Sequence, residues 1–189
     1  RVLPLVETLA GAGYPLAVDT RKPAVMRATA AAGAAMINDI GALAAPGAIE
    51  ACAQSGVGVC LMHMQREPQT MQAAPDYGDV VAEVRAFLEA RARACLAAGI
   101  ARECIAIDPG FGFGKTLAHT LQLLRSLGAF SATGFPVVAG LSRKSSLGAI
   151  TGRDVDERMP ASVAAALAAV ARGAAIVRVH DVRATVDAL

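Results

Sequence analysis

Six short apolar runs, each closed by polar residues and separated by stretches of helical spacing, leave this chain few folds to choose from. They lie at residues 15–19 (PLAVD), 35–39 (AMIND), 57–63 (VGVCLMH), 104–108 (CIAID), 136–140 (PVVAG) and 175–180 (AIVRVH). Runs this short and this apolar read as strands buried on both faces. Between them, Val80, Val84, Phe87, Leu88, Ala92 and Cys95 recur at helix spacing, as do Leu117, Leu121, Leu124 and Leu127. Strands alternating with helices predict an α/β fold whose parallel strands are joined by right-handed crossovers. An open doubly wound sheet and a closed TIM-type (β/α)8 barrel both satisfy the pattern. No G-x-G-x-x-G follows an early strand, which disfavours the dinucleotide-binding form of the open sheet. A full barrel takes about 250 residues, whereas this chain has 189 and opens with Val2, Leu3, Leu5, Val6 and Leu9, a helix pattern. The expectation is one barrel domain over residues 1–189, N-terminally incomplete, holding six strand–helix units without the first two strands, with further material upstream of Arg1.

Composition narrows the function classes. With 18 Lys+Arg against 16 Asp+Glu and 4% aromatics, the chain has neither the basic stripe nor the stacking rings of a nucleic-acid binder. Its mean hydropathy is high, at +0.46. The longest nearly uninterrupted apolar stretch, residues 161–171, is nonetheless far short of the roughly 20 residues of a membrane span. Neither nucleic acid nor membrane is expected as a partner. Cys52, Cys60, Cys95 and Cys104 form no C-x-x-C pair and sit among apolar neighbours, which reads as reduced core thiols. The N-terminal residues show no secretion signal, and a cytoplasmic setting is expected.

The polar ends of the runs carry the chemistry. Asp19 with Thr20, Asn38 with Asp39, His63, Asp108, the Ser142-Arg143-Lys144 segment, and Arg178 with His180 all stand at C-terminal ends. In a parallel sheet or barrel those ends share one face, so the side chains are expected to converge on one cleft. Asp19, Asn38 and Asp108 offer acceptors to a planar heterocycle rich in N–H groups. Arg178, His180 and Arg143 suit an anion, and Lys144 adds a compact charge. Such a site holds a polar ring at one end and a phosphate ester at the other. Ser145 precedes a helix expected from about Leu147; it is an N-cap or an anion contact. The Gly110-Phe-Gly-Phe-Gly-Lys115 loop lacks the phosphate-loop frame. Phe111 or Phe113 is a wall for a flat ligand or a plug at the barrel mouth, Met62 a ring contact or core filler, and His119 a solvated helix residue.

These residues fall in stretches that resemble the dihydropteroate synthases of the pterin-binding (β/α)8 family. Residues 19–23 (DTRKP), 37–40 (INDI), 61–64 (LMHM) followed by 68–72 (PQTMQ), 108–115 (DPGFGFGK), 140–145 (GLSRKS) and 178–181 (RVHD) match that family's motifs in order and at similar spacing, over essentially the whole chain. The resemblance implies condensation of 6-hydroxymethyl-7,8-dihydropterin diphosphate with 4-aminobenzoate, giving 7,8-dihydropteroate and diphosphate, with sulfonamides competing for the aminobenzoate site. It implies Asp19, Asp108, Lys144 and Arg178 as the catalytic set. Asp19, Asn38, Met62, Asp108, Gly140, Lys144 and Arg178 would bind the pterin, Arg178 and His180 the diphosphate, and Phe113, Lys144 and Ser145 the 4-aminobenzoate. It further implies Mg2+ as cofactor and a homodimer through helices near the end of the chain, for which residues 161–172 are the candidate.

Two departures stand out. The family's first two strand–loop units, with an Asn metal ligand on one loop and a Thr-Arg-Pro segment on the other, have no counterpart, so no metal ligand is expected from this chain itself. Arg66 stands where the family often has Gly, which is tolerable at negative φ. Three alternatives stay open on the residues alone. They are a corrinoid-linked methyltetrahydrofolate methyltransferase on the same barrel, an aldolase-type enzyme using Lys144 as a Schiff-base amine at depressed pKa, and a pterin-binding fragment without turnover.

Overall fold

Each of the six apolar runs contains a strand. In the computed structural model, which describes every residue except 67, 68 and 72, these are β1 (Ala17–Asp19), β2 (Met36–Asp39), β3 (Gly58–Met62), β4 (Ile105–Asp108), β5 (Val138–Ala139) and β6 (Ile176–Val177). The helices among the described residues are α1 (Leu3–Gly11), α2 (Pro23–Ala31), α3 (Ala48–Ser55), α4 (Val80–Ala97), α5 (Leu117–Arg125), α6 (Gly128–Ser131), α7 (Ser145–Thr151), α8 (Met159–Val170) and α9 (Val182–Val186). The chain divides into two compact units, one of Arg1–His63 with Phe87–Ile107, the other of Met64–Ala86 with Asp108–Leu189.

The first unit is organised on a sheet of order β1-β2-β3-β4. β1 pairs with β2 and β2 with β3 in parallel, with Asp19 opposite Asn38 and Ile37 opposite Val59. Parallel strands need crossover helices, and α2 and α3 supply them. A proline in the first turn of α1 and of α2 fixes φ where the missing N–H is harmless. Ile37, Val59, Leu61 and, from α4, Leu88 are completely buried. The cysteines behave as the sequence predicts: Cys52, Cys60 and Cys95 are buried free thiols and Cys104 is half-buried. Burial pushes the Cys52 thiol up to about 11, so it stays protonated and inert.

In the second unit β5 and β6 pair in parallel, Val138 opposite Ile176 and Ala139 opposite Val177. Phe111, Leu123, Leu127 and Phe130 fill its core, each contributing about 2 to 3 kcal/mol of burial. His119 is not the merely solvated residue expected. It closes a capping box with Thr116 at the start of α5 and meets the Tyr77 ring edge-on at 5.0 Å. Arg66 also departs from expectation, for its φ is +65°. The left-handed conformation costs a side-chain-bearing residue about 1 kcal/mol. The loop is held there by Gln65, whose amide donates to the Asp76 carbonyl at 2.6 Å and accepts from its N–H at 3.1 Å.

Candidate active site

In the first unit the parallel register brings the polar ends of β1 and β2 together. Asn38 Nδ2 donates to Asp19 Oδ2 at 2.8 Å. Asn38 is buried and Asp19 exposed, so the amide fixes one carboxylate oxygen and leaves the group facing water. Asp39, read from the sequence as part of the same polar end, belongs instead to a turn. Its buried carboxylate accepts from Gly41 N at 2.7 Å and Leu43 N at 2.9 Å, while burial holds its pKa above the ordinary value. Those bonds maintain left-handed backbone at Ala42 (φ 51°) and Leu43 (φ 57°), whose carbonyls are taken by Arg91 Nε and Nη2 at 2.8 Å each. Met62 is fully buried at the end of β3, as core filler rather than as an exposed ring contact. His63 is buried too, edge-on to Phe87 at 4.9 Å.

The second unit gathers the larger set. Asp108, 1% exposed, accepts from Gly110 N at 2.8 Å through Oδ1 and from Arg178 Nη2 at 3.0 Å through Oδ2. The Arg178 side chain is 46% exposed, so it lies over the buried carboxylate with one side in water. Gly140 makes this possible, because a Cβ there would stand 2.9 Å from Arg178 Nη2. Lys144 Nζ donates to the Phe111 carbonyl and sits 4.7 Å from the centre of the Phe113 ring. Burial pushes its pKa down to about 8, against the pull of Asp108 and together with repulsion from Arg178. His180 is anchored by its backbone N–H, which donates to Ser142 Oγ at 3.2 Å, and by Nδ1, which lies 2.9 Å from the same oxygen.

Three sequence readings change. Ser145 is not a cap, since α7 starts with it and Lys144 occupies the cap position with extended backbone; Ser145 lines a cavity of about 270 Å3 with Gly112, Lys115, Thr116 and Ser146. Phe111 is completely buried, which leaves Phe113 as the ring available to a ligand. Arg143, expected to seek an anion, is already paired with Asp181 at 2.6 and 3.1 Å. The sequence reading missed Lys115. This residue is 4% exposed and donates to the Phe113 carbonyl at 2.9 Å, and burial pushes its pKa down to about 7 despite Asp108. Its only signal was a lysine closing a glycine-rich loop, which tests for a phosphate loop and says nothing of burial. Pro68 and Gln72 of the 68–72 motif lie outside the described residues. Among the described residues, no three His, Cys, Asp or Glu side chains gather as they would around a metal ion.

Within the second unit a buried carboxylate, two cations and an aromatic face stand together, an arrangement suited to a flat polar ring carrying an anion. The family model described as pterin binding enzyme matches residues 1–180, and the chain belongs to that family. Within it, the sequence and backbone follow the dihydropteroate synthases. The synthase of Neisseria meningitidis serogroup C is 54% identical over 193 residues, covering 100% of this chain and 68% of that protein. The Stenotrophomonas maltophilia synthase structure is 58% identical with a TM-score of 0.97, covering 100% of this chain and 72% of its own. The Xanthomonas albilineans synthase, solved with 7,8-dihydropteroate, is 53% identical with a TM-score of 0.93, covering 100% of this chain and 70% of its own. The fold class is therefore the (β/α)8 barrel of these transferases, of which six strand–helix units stand among the described residues.

Proposed function

We propose that the chain supplies the dihydropterin and aminobenzoate sites of a dihydropteroate synthase, condensing 6-hydroxymethyl-7,8-dihydropterin diphosphate with 4-aminobenzoate. The observation that carries the reading is the Asp108–Arg178 pair beside Lys144 and Phe113. Arg178 now holds the acceptor that a pterin N–H group would need. On binding, the ring takes over Asp108 and releases the guanidinium to the diphosphate, so that one exchange seats both ends of the substrate. Asp19 and Asn38 accept and donate to further ring edges, Met62 and Gly140 form part of the wall, and His180, held by Ser142, joins Arg178 on the diphosphate. The Asp19 and Asp108 carboxylates favour positive charge growing on the pterin as the C–O bond to diphosphate breaks, and Arg178 favours the departing anion. The arylamine, held between Phe113, Lys144 and Ser145, then attacks the methylene carbon and loses its proton. A Mg2+ ion would accompany the diphosphate oxygens. The described residues offer no cluster to hold it, so no step here runs through it.

The reading extends to one barrel domain over the whole chain, a homodimer and a cytoplasmic setting. Among the described residues no helix is long and apolar enough to cross a membrane. The test is a product assay with both substrates, in which dihydropteroate should form and a sulfonamide should compete with 4-aminobenzoate alone. Binding of the pterin diphosphate without product would leave a binding fragment. Borohydride trapping of Lys144 on a carbonyl substrate, or methyl transfer to a corrinoid, would point to the other barrel chemistries.

A further inference from the structure

We infer that Arg158 and Ser162, at the start of α8, are positioning residues for Lys144, acting through the peptide groups of Arg143. Arg143 has φ of +56°, a conformation a bulky residue keeps only where its surroundings impose it. Both of its backbone polar groups are held from the α8 segment. Its N–H donates to Ser162 Oγ at 2.9 Å, and its carbonyl accepts from Arg158 Nη1 at 3.2 Å. The buried Ser162 hydroxyl donates to the Arg158 carbonyl at 2.7 Å, which turns a lone pair toward Arg143. Arg158 is fixed in turn, with Nε donating to the Arg153 carbonyl at 2.9 Å. Its guanidinium packs against α7 at Gly148, in the space that a Cβ there would fill. On the outer side the Arg143 guanidinium is clamped by Asp181. The residue that follows this clamp is Lys144, whose extended backbone sends the ammonium to the Phe111 carbonyl and the Phe113 ring. The strained peptide is thus the lever by which α8 sets where the Lys144 ammonium lies. Neither Arg158 nor Ser162 touches that ammonium itself.

The inference rests on the reading that Lys144 borders both substrates, and a double-mutant cycle tests it in the protein as expressed. Ser162→Ala and Arg158→Gln are measured alone and on a Lys144→Ala background, by kcat and by KM for each substrate. Each single variant should lower kcat/KM by about tenfold, and by less than twofold when Lys144 is already absent, since coupled residues are non-additive. Equal losses in the two backgrounds would overturn the inference, because the side chains would then serve the fold alone. Should Arg158→Gln fail to fold, Gly148→Ala displaces the same guanidinium and should give the same pattern; unchanged kcat/KM in that variant also counts against it. A second readout needs no turnover. Modification of Lys144 by an amine reagent, followed against pH, should have its midpoint near 8 in the unaltered protein. It should move upward in Ser162→Ala as the ammonium gains water, with the neighbouring charges of Asp108, Arg178 and Lys115 unchanged. An unmoved midpoint overturns the positioning role, whereas a moved midpoint without dihydropteroate formation overturns only the synthase reading.

Discussion

Asp108 and Lys144 are the two residues whose surroundings dictate most about the chemistry. Asp108 is buried with both oxygens engaged, by Gly110 N and by Arg178. A ligand that replaces Arg178 therefore meets a carboxylate already oriented and shielded from water. Asp108→Ala should weaken binding of the pterin diphosphate by about 2 to 4 kcal/mol, since ring N–H groups lose a charged acceptor in a dry setting; calorimetry would show it, and unchanged affinity would remove Asp108 from the site. Lys144 titrates from about 8, below its ordinary value because its charged form is buried. Its ammonium is therefore fully present only below that pH. Affinity for 4-aminobenzoate should hold up to about pH 8 and then fall by up to about tenfold per pH unit as the charge is lost. Lys144→Arg should remove the bend. The sequence made Asp108, Lys144 and Arg178 legible because a charged residue at the end of an apolar strand has few structural excuses. It hid Lys115 and the Arg143–Asp181 pair, because burial and partnership are set by segments far apart in the chain.

At the level of elements, apolar runs located all six strands, while ends and turns escaped. β5 and β6 each have only two paired residues, although the runs that hold them are as apolar as the others, because ladder length depends on the partner's register. The start of α7 is read too late: a serine before an apolar helix looks like a cap, and only the extended backbone of Lys144 shows that the cap lies one residue earlier. Asp39 is the instructive error. Two left-handed residues without glycine, Ala42 and Leu43, follow it, and no local sequence signal announces such a turn. Asp39→Ala should therefore destabilise the protein by about 2 to 4 kcal/mol in chemical denaturation, by orphaning the buried Leu43 N–H and the half-buried Gly41 N–H and releasing the strained turn. A loss under about 0.5 kcal/mol, the range of an ordinary surface change, would show that Arg91 alone suffices. Gly140→Ala makes the opposite case. Its methyl group would meet only the tip of Arg178, so the guanidinium can move, and the cost should fall on diphosphate affinity with little change in melting temperature.

At the scale of the whole molecule, the chain is nearly neutral and rich in alanine, and its exposed apolar side chains are unevenly distributed. In the second unit Leu167 and Val170 of α8 are exposed, as are Val182 and Val186 of α9 and the terminal Leu189. α8 and α9 pack on each other, so these side chains stand on adjoining helices. Exposed apolar residues are ordinary when scattered, but grouped on neighbouring elements they mark a contact surface. The sequence pointed to residues 161–172 for the proposed homodimer; it did not single out α9, whose five residues are too few to show a periodic face. If the two helices form the contact, a chain of 19.2 kDa should travel as a dimer in light scattering at micromolar concentration. Val170→Glu combined with Val186→Asp should then yield a monomer, with the affinity for pterin diphosphate within about twofold of the unaltered protein, since both side chains are exposed, neither is among the proposed substrate contacts, and independent sites act additively. A dimer that persists in the double variant would move the contact elsewhere.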